Sequence, residues 1–120
     1  MNRTKFAYDP EVPSLCGAFA GKLKIGAAIN TWHLKPESKE YDVIRKHFNV
    51  FTLENQSKPE PVHPEEEKWV LEPVDRFAEF GEKNGVTLRG HTLVWHSQVP
   101  GWFFRDGERD ASLELLLERM

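Results

Sequence analysis

The chain has 120 residues and a mass of 13.9 kDa, with 39% hydrophobic and 12% aromatic residues, which suits one packed domain and is too short for two. Its 16 Lys+Arg against 19 Asp+Glu leave a net charge of −3 with no dominant basic cluster, so composition argues against nucleic acid as a partner. A lone cysteine, Cys16, can form neither an internal disulfide nor a thiolate metal cage, and no apolar run approaches the roughly 20 residues of a membrane span.

The chain opens M-N-R-T-K-F-A-Y-D-P-E-V-P, with two early basic residues but no apolar stretch behind them, which predicts a cytoplasmic protein read from a native start. Ser14 caps a short helix through S-L-C-G-A-F-A-G, which makes Cys16 a small core residue rather than a nucleophile. Lys24 to Asn30 then reads as a first, nearly all-apolar strand. Tyr41, Ile44 and Phe48 recur at helical spacing, with Ser38 as the candidate cap. Val50 to Leu53 forms a second strand that breaks into the polar E-N-Q-S-K-P-E-P.

The run Pro64 to Lys68 reads as a solvated turn and helix start. From Pro73 to Asn84 the pattern is helical, with Val74, Phe77 and Ala78 inward and Gly85 just past the end. A third strand spans Val86 to Trp95, followed by a loop and a last helical pattern from Ala111 to Met120. The order β-α-β-α-β-α, with strands apolar on both sides, predicts a parallel sheet covered by helices.

Polar and aromatic groups collect where each strand ends, the edge that faces the active side in barrels and open sheets alike. The first strand ends in Asn30, followed by Trp32 and His33; the second in Glu54 and Asn55, with Lys58 beyond; the third in Trp95, His96 and Gln98. Alternation along the third strand puts His91, Leu93 and Trp95 on one face and Thr92, Val94 and His96 on the other. An imidazole beside an indole suits a sugar, whose hydroxyls take hydrogen bonds and whose C–H faces stack on rings. The same spacing fits a hydrogen-bonded core histidine beside a buried tryptophan, and spacing alone favours that plainer reading. The histidines lack metal-ligand spacing, and neither a phosphate loop, a dinucleotide fingerprint nor a nucleophile elbow is present, so no cofactor is expected.

The segment G-H-T-L-V-W-H-S-Q, Gly90 to Gln98, closely resembles the third-strand signature of glycoside hydrolase family 10, the endo-1,4-β-xylanases. G-A-A-I-N, H-F-N-V-F-T-L-E-N-Q-S-K, P-E-E-E-K-W-V-L-E-P-V-D, P-G-W-F-F and L-L-E-R-M accompany it in the family's order, so the resemblance runs from about Ile25 to the last residue. It implies an α/β fold, the (β/α)8 TIM barrel, hydrolysing β-1,4-xylan or xylo-oligosaccharides with retention of configuration. By the same resemblance Glu54 and Asn55 hydrogen-bond the xylose two places on the glycone side of the cleavage point. Lys58 and His91 reach the sugar being cleaved, Trp95 walls its subsite, and Gln98 lies on the glycone side, while His96 has a structural role. Ser57 departs from the family, which usually has an apolar residue there; the departure bears on packing more than on sugar contacts.

Retaining hydrolysis needs two carboxyl groups about 5–5.5 Å apart. In the family the acid/base glutamate follows the fourth strand and the nucleophile ends the seventh, and neither segment occurs in these residues. A (β/α)8 barrel takes about 250 residues. The expectation is therefore that residues 1–120 are the N-terminal part of one catalytic barrel, about its first three βα units, ending inside the third helix and inactive alone. Open sheet edges would invite self-association. A non-catalytic xylan-binding module that keeps half a cleft is the alternative, and the final helical pattern, which has no stop signal, favours the barrel portion.

Overall fold

The computed structural model describes residues 8–120, so the reading of the first seven residues lies outside the described part. Helix α1, Leu15–Ala18, is opened by Ser14, whose hydroxyl accepts from the Gly17 N–H. Cys16 is half-buried there, with Sγ against the Lys46 carbonyl, and does not join the core as the sequence led one to expect. Strand β1, Gly26–Ile29, is shorter at both ends than the predicted run. Helix α2, Tyr41–His47, begins two residues later than Ser38 would have it. The Ser38 hydroxyl instead donates to the Glu40 carboxylate and accepts the Glu40 N–H.

Strand β2, Val50–Leu53, coincides with its sequence prediction. A one-turn helix, α3, Pro59–Val62, follows within the stretch read as polar loop. Residues 65–68 make a turn closed by a Glu65–Lys68 bridge, and the next helix starts later, at α4, Glu72–Asn84. Gly85 ends α4 at φ 62°, the left-handed geometry that makes glycine the favoured residue there. Phe77 of α4 is buried and Val74 packs on the core, but Ala78 faces solvent, so the inner face is narrower than predicted.

The largest correction concerns the third strand, β3, which covers only Thr87–Arg89. A parallel strand needs a neighbour for its backbone groups. The β2 partnership runs from Val50↔Thr87 to Thr52↔Arg89 and stops where β2 turns away after Leu53. Beyond Arg89 the chain is irregular, with a cis His91–Thr92 peptide, and Leu93 is 96% exposed. The alternation inferred for His91 to His96 therefore does not exist. The following loop holds a 3-10 turn at Gly101–Phe104 and a small hairpin, β4 Arg105–Asp106 with β5 Arg109–Asp110, before α5, Leu113–Arg119.

The sheet has the order β1-β2-β3, all parallel. Ile29, Phe51 and Leu53 point from it toward α2 and α4, where Ile44 and Phe77 complete the buried core and Leu88 packs at its edge. Gly81 is the point of closest approach: a Cβ there would lie 2.4 Å from Leu88 Cδ1 and 2.6 Å from its Cγ. Gly81→Ala gains helix propensity, about 1 kcal/mol, but forces Leu88 out of place at about 1–3 kcal/mol. In urea midpoints Gly81→Ala is expected to be more costly with Leu88 present than in a Leu88→Ala background, where the added methyl has room; an equal effect in both backgrounds would mean α4 and β3 do not pack as described.

Two surface carboxyls are held below the ordinary carboxylate range, Glu40 by the Ser38 hydroxyl and Glu114 chiefly by its own backbone N–H and then by Ser112. Folded-state values that are lowered favour the fold at neutral pH, and that contribution disappears as pH falls through them.

Candidate functional site

The polar side chains gather beyond the C-terminal ends of β1 and β2 because E-N-Q-S-K follows the apolar strand without a break. Asn55 is the junction. Its Oδ1 accepts from Lys58 Nζ at 2.8 Å and from Gln98 Nε2 at 3.3 Å, across 43 residues of sequence in the second case. The Gln98 carbonyl in turn accepts the Glu60 N–H, which fixes the later loop against the first turn of α3. Gln98 holds φ at 51°, uncommon for a non-glycine residue.

Lys58 is only 7% exposed, and its ammonium lies 5.0 Å from the centre of the Trp95 ring. The Trp95 ring is 5.8 Å from that of His91 and 5.4 Å from that of His96. Asn55, Lys58, Trp95, Gln98 and His91 thus come together, though the loop rather than strand alternation brings the last residues in. Glu54 stands beside them. Its Oε2 accepts from Asn30 Nδ2 at 2.8 Å, and it lines the same concavity as His91.

Three supports lie outside the sugar contacts that the resemblance implied, although the sequence does place Asn30 at the end of the first strand. Asn30, 3% exposed, holds Glu54. Gln56 bridges the first two strand-end loops, accepting the Thr31 N–H and donating to Thr31 Oγ1. Ser57 donates to the His91 carbonyl at 2.6 Å, so the position that departs from the family pattern anchors the loop of a sugar-contact candidate. The signal available was the unbroken polar run after β2, which marks a set of cross-loop partners rather than a surface loop.

A second polar–aromatic knot ties the later loop down. His63 stacks on Trp69 at 3.7 Å, and Trp102 Nε1 donates to the His63 carbonyl. Arg119 lies over Trp102 and donates to the carbonyls of Trp102, Phe103 and Arg105 and to the Glu66 carboxylate. Glu66, in the run read as solvated, therefore ties the turn before α4 to α5. Among the described residues no cluster of side chains could hold a metal ion, and no helix is long and apolar enough to cross a membrane.

A parallel βα sheet with its polar side chains massed at the C-terminal strand ends has the layout of an α/β protein, in which ligands bind at that edge in barrels and open sheets alike. Residues 14–120 match the model of Glycosyl hydrolase family 10. The endo-1,4-β-xylanase B of Paenibacillus barcinonensis is 44% identical over 92% of this chain and 32% of its own length. Its crystal structure, bound to a conduramine derivative, superposes with a TM-score of 0.84. The endo-1,4-β-xylanase A of Caldicellulosiruptor saccharolyticus is 48% identical over 89% of this chain and 31% of its own. TsXylA, an intracellular xylanase of Thermoanaerobacterium saccharolyticum seen as a mutant with xylotriose, is 34% identical, with a TM-score of 0.88 over 92% of this chain and 35% of its own. The chain belongs to glycosyl hydrolase family 10, whose members are (β/α)8 barrels, and matches the N-terminal part of that fold. It spans about a third of the length of the curated relatives it matches.

Proposed function

We propose that this chain is the N-terminal portion of an endo-1,4-β-xylanase barrel, that it carries glycone-side contacts to β-1,4-xylan or xylo-oligosaccharides, and that it does not turn over substrate alone. The observation that supports this best is the junction at Asn55, where Lys58 and Gln98 meet beside the Trp95 ring. Glu54, Asn55 and Gln98 offer hydrogen bonds to sugar hydroxyls, Lys58 and His91 reach the sugar to be cleaved, and Trp95 gives its C–H face an apolar wall.

Inactivity follows from the carboxylates. Glu54 is the one acidic side chain lining the concavity among the described residues, and Asp106 and Asp110 are exposed in the distal hairpin. Retention requires a second carboxyl at about 5–5.5 Å. The chain's residues can bind and orient a xylose unit but supply no nucleophile paired with an acid. An intracellular site of action on xylo-oligosaccharides belongs to the same proposal, supported by the likeness to TsXylA and tested by fractionating the source cells.

Assay of the purified chain on an aryl xylobioside should give no release above the buffer rate, while xylotriose should perturb tryptophan fluorescence at millimolar concentration. Measurable turnover would overturn the reading. Micromolar or tighter binding of xylotriose by the purified chain would favour a non-catalytic module, because a partial cleft should bind only weakly.

A further inference from the structure

Two bridges join the loops that follow β1 and β2. Asn30 Nδ2 donates to Glu54 Oε2 at 2.8 Å, and the Thr31 N–H and hydroxyl pair with the Gln56 amide at 2.8 and 2.9 Å. Asn30 is 3% exposed, and its Oδ1 end faces the His33 N–H without making a hydrogen bond of normal geometry. The amide thus has one side-chain bond, the one to Glu54, and its aim depends on how the Asn30 backbone is held. His33 holds that backbone twice. Its N–H donates to the Asn30 carbonyl and its ring Nδ1 accepts the Asn30 N–H, both at 3.0 Å.

A backbone N–H can only donate, so the ring nitrogen that faces it must carry a lone pair and no proton. An imidazolium has a hydrogen on both nitrogens and would set N–H against N–H. Acidic groups surround the ring on the neighbouring elements. Glu40, in the turn that opens α2, lies within electrostatic reach of His33. Helix α4, which packs against residues 31–34, brings Glu72 and Asp75 in its first turn, with Arg76 ion-paired to Glu72. Glu54 stands beyond Asn30, and Lys35 and Lys39 follow on the same stretch of chain. A protonated ring therefore has carboxylates to turn to, while the Asn30 N–H loses its acceptor in a buried position.

We propose that His33 is a positioning residue for xylose binding: with Nδ1 unprotonated it fixes Asn30, and through Asn30 it aims the Glu54 carboxylate at the sugar. This rests on the reading of Glu54 as a glycone-side contact. Protonation of the ring releases Asn30 and lets Glu54 turn, so binding weakens as pH falls. A residue that merely capped the turn at Thr31–Leu34 would behave otherwise, because β2 alone would then aim Glu54. The state of the Asn30 amide argues against such a plain cap. An asparagine at the head of a helical turn ordinarily gives its side-chain oxygen to an N–H of that turn. Here the amide is committed through Nδ2 to Glu54, and Oδ1 is left unmatched.

Xylotriose titrations of the full chain at about pH 8 and about pH 5 span the range in which imidazoles change charge. His33→Asn puts a neutral oxygen near the place of Nδ1, so it should bind like wild type at the upper pH. Over the interval wild type is expected to weaken about tenfold more than His33→Asn, the scale of one buried donor left unpaired. His91 titrates in both proteins and cancels from the comparison. His33→Ala offers no acceptor and should bind about tenfold more weakly than wild type at the upper pH. Combined with Asn30→Ala it should be no weaker than Asn30→Ala alone, because His33 acts through Asn30. Should His33→Ala fail to fold, the comparison with His33→Asn still decides. NMR reads the same coupling without sugar: the Asn30 side-chain amide and the Glu54 carboxyl carbon should follow the His33 ring titration in wild type. In His33→Asn that step should vanish. Equal pH dependence of binding in wild type and His33→Asn, additive losses in the double variant, or Asn30 and Glu54 signals indifferent to the ring would each overturn the positioning role. Signals that follow the ring while xylotriose binds at neither pH would uphold the link from His33 to Glu54 and sink the glycone reading of Glu54.

Discussion

Lys58→Met is expected to abolish xylotriose binding while leaving the chain as stable as wild type, or slightly more so. Lys58 is 7% exposed, and its charge is met by the Asn55 amide oxygen and the Trp95 ring face rather than by a carboxylate. Enclosing an ammonium among neutral partners carries a desolvation penalty of several kcal/mol, which the hydrogen bond and the ring offset only in part. Methionine fills a similar volume and removes the penalty, so the urea midpoint should hold or rise. The sugar loses a charge-assisted donor worth about 1.5–3 kcal/mol, equivalent to about 10- to 150-fold in affinity. Xylotriose titrations followed by tryptophan fluorescence should therefore go flat for the variant. Unchanged binding would remove Lys58 from the sugar contacts. A fall in stability above about 3 kcal/mol would make it a strut for the loops instead.

That split between fold and site traces back to what the sequence makes readable. Strand β2 was legible to the residue because Val50 to Leu53 is an apolar run cut off sharply by E-N-Q-S-K. Helix α4 was legible within one residue, since Pro73 and Gly85 mark its ends by their backbone preferences. Strand β3 misled because V-T-L-R-G-H-T-L-V-W has strand composition throughout, whereas a strand exists only where a neighbour pairs with it. The site residues came from the family signature, and their juxtaposition came from tertiary contacts no periodicity encodes. The Gln98–Asn55 bond spans 43 residues, and the Ser57–His91 bond spans 34. Lys58 shows the gap most clearly: the sequence places it at the strand-end cleft but does not encode the Trp95 ring that closes over it.

Phe51→Ala should abolish cooperative unfolding altogether. Phe51 is 1% exposed at the middle of the central strand, with its ring edge-on to Phe80 at 5.7 Å. Truncating a buried phenylalanine costs about 3–5 kcal/mol. The buried apolar core here consists of Ile29, Ile44, Phe51, Leu53 and Phe77, so little remains to absorb such a loss. Phe51→Leu keeps most of the volume and should cost less than about 1.5 kcal/mol, leaving a lower but still cooperative urea transition. The two variants separate packing from mere hydrophobicity at this position, and a normal transition for Phe51→Ala would place the core elsewhere. The consequence reaches the site through the chain itself. Leu53, fully buried one alternation further along β2, directly precedes Glu54, and the ladder that holds β2 between β1 and β3 is what aims Glu54, Asn55 and Lys58. Phe51→Ala should therefore lose xylotriose binding together with its fold, whereas Lys58→Met loses binding alone. That contrast distinguishes residues that build the wall from residues that touch the sugar.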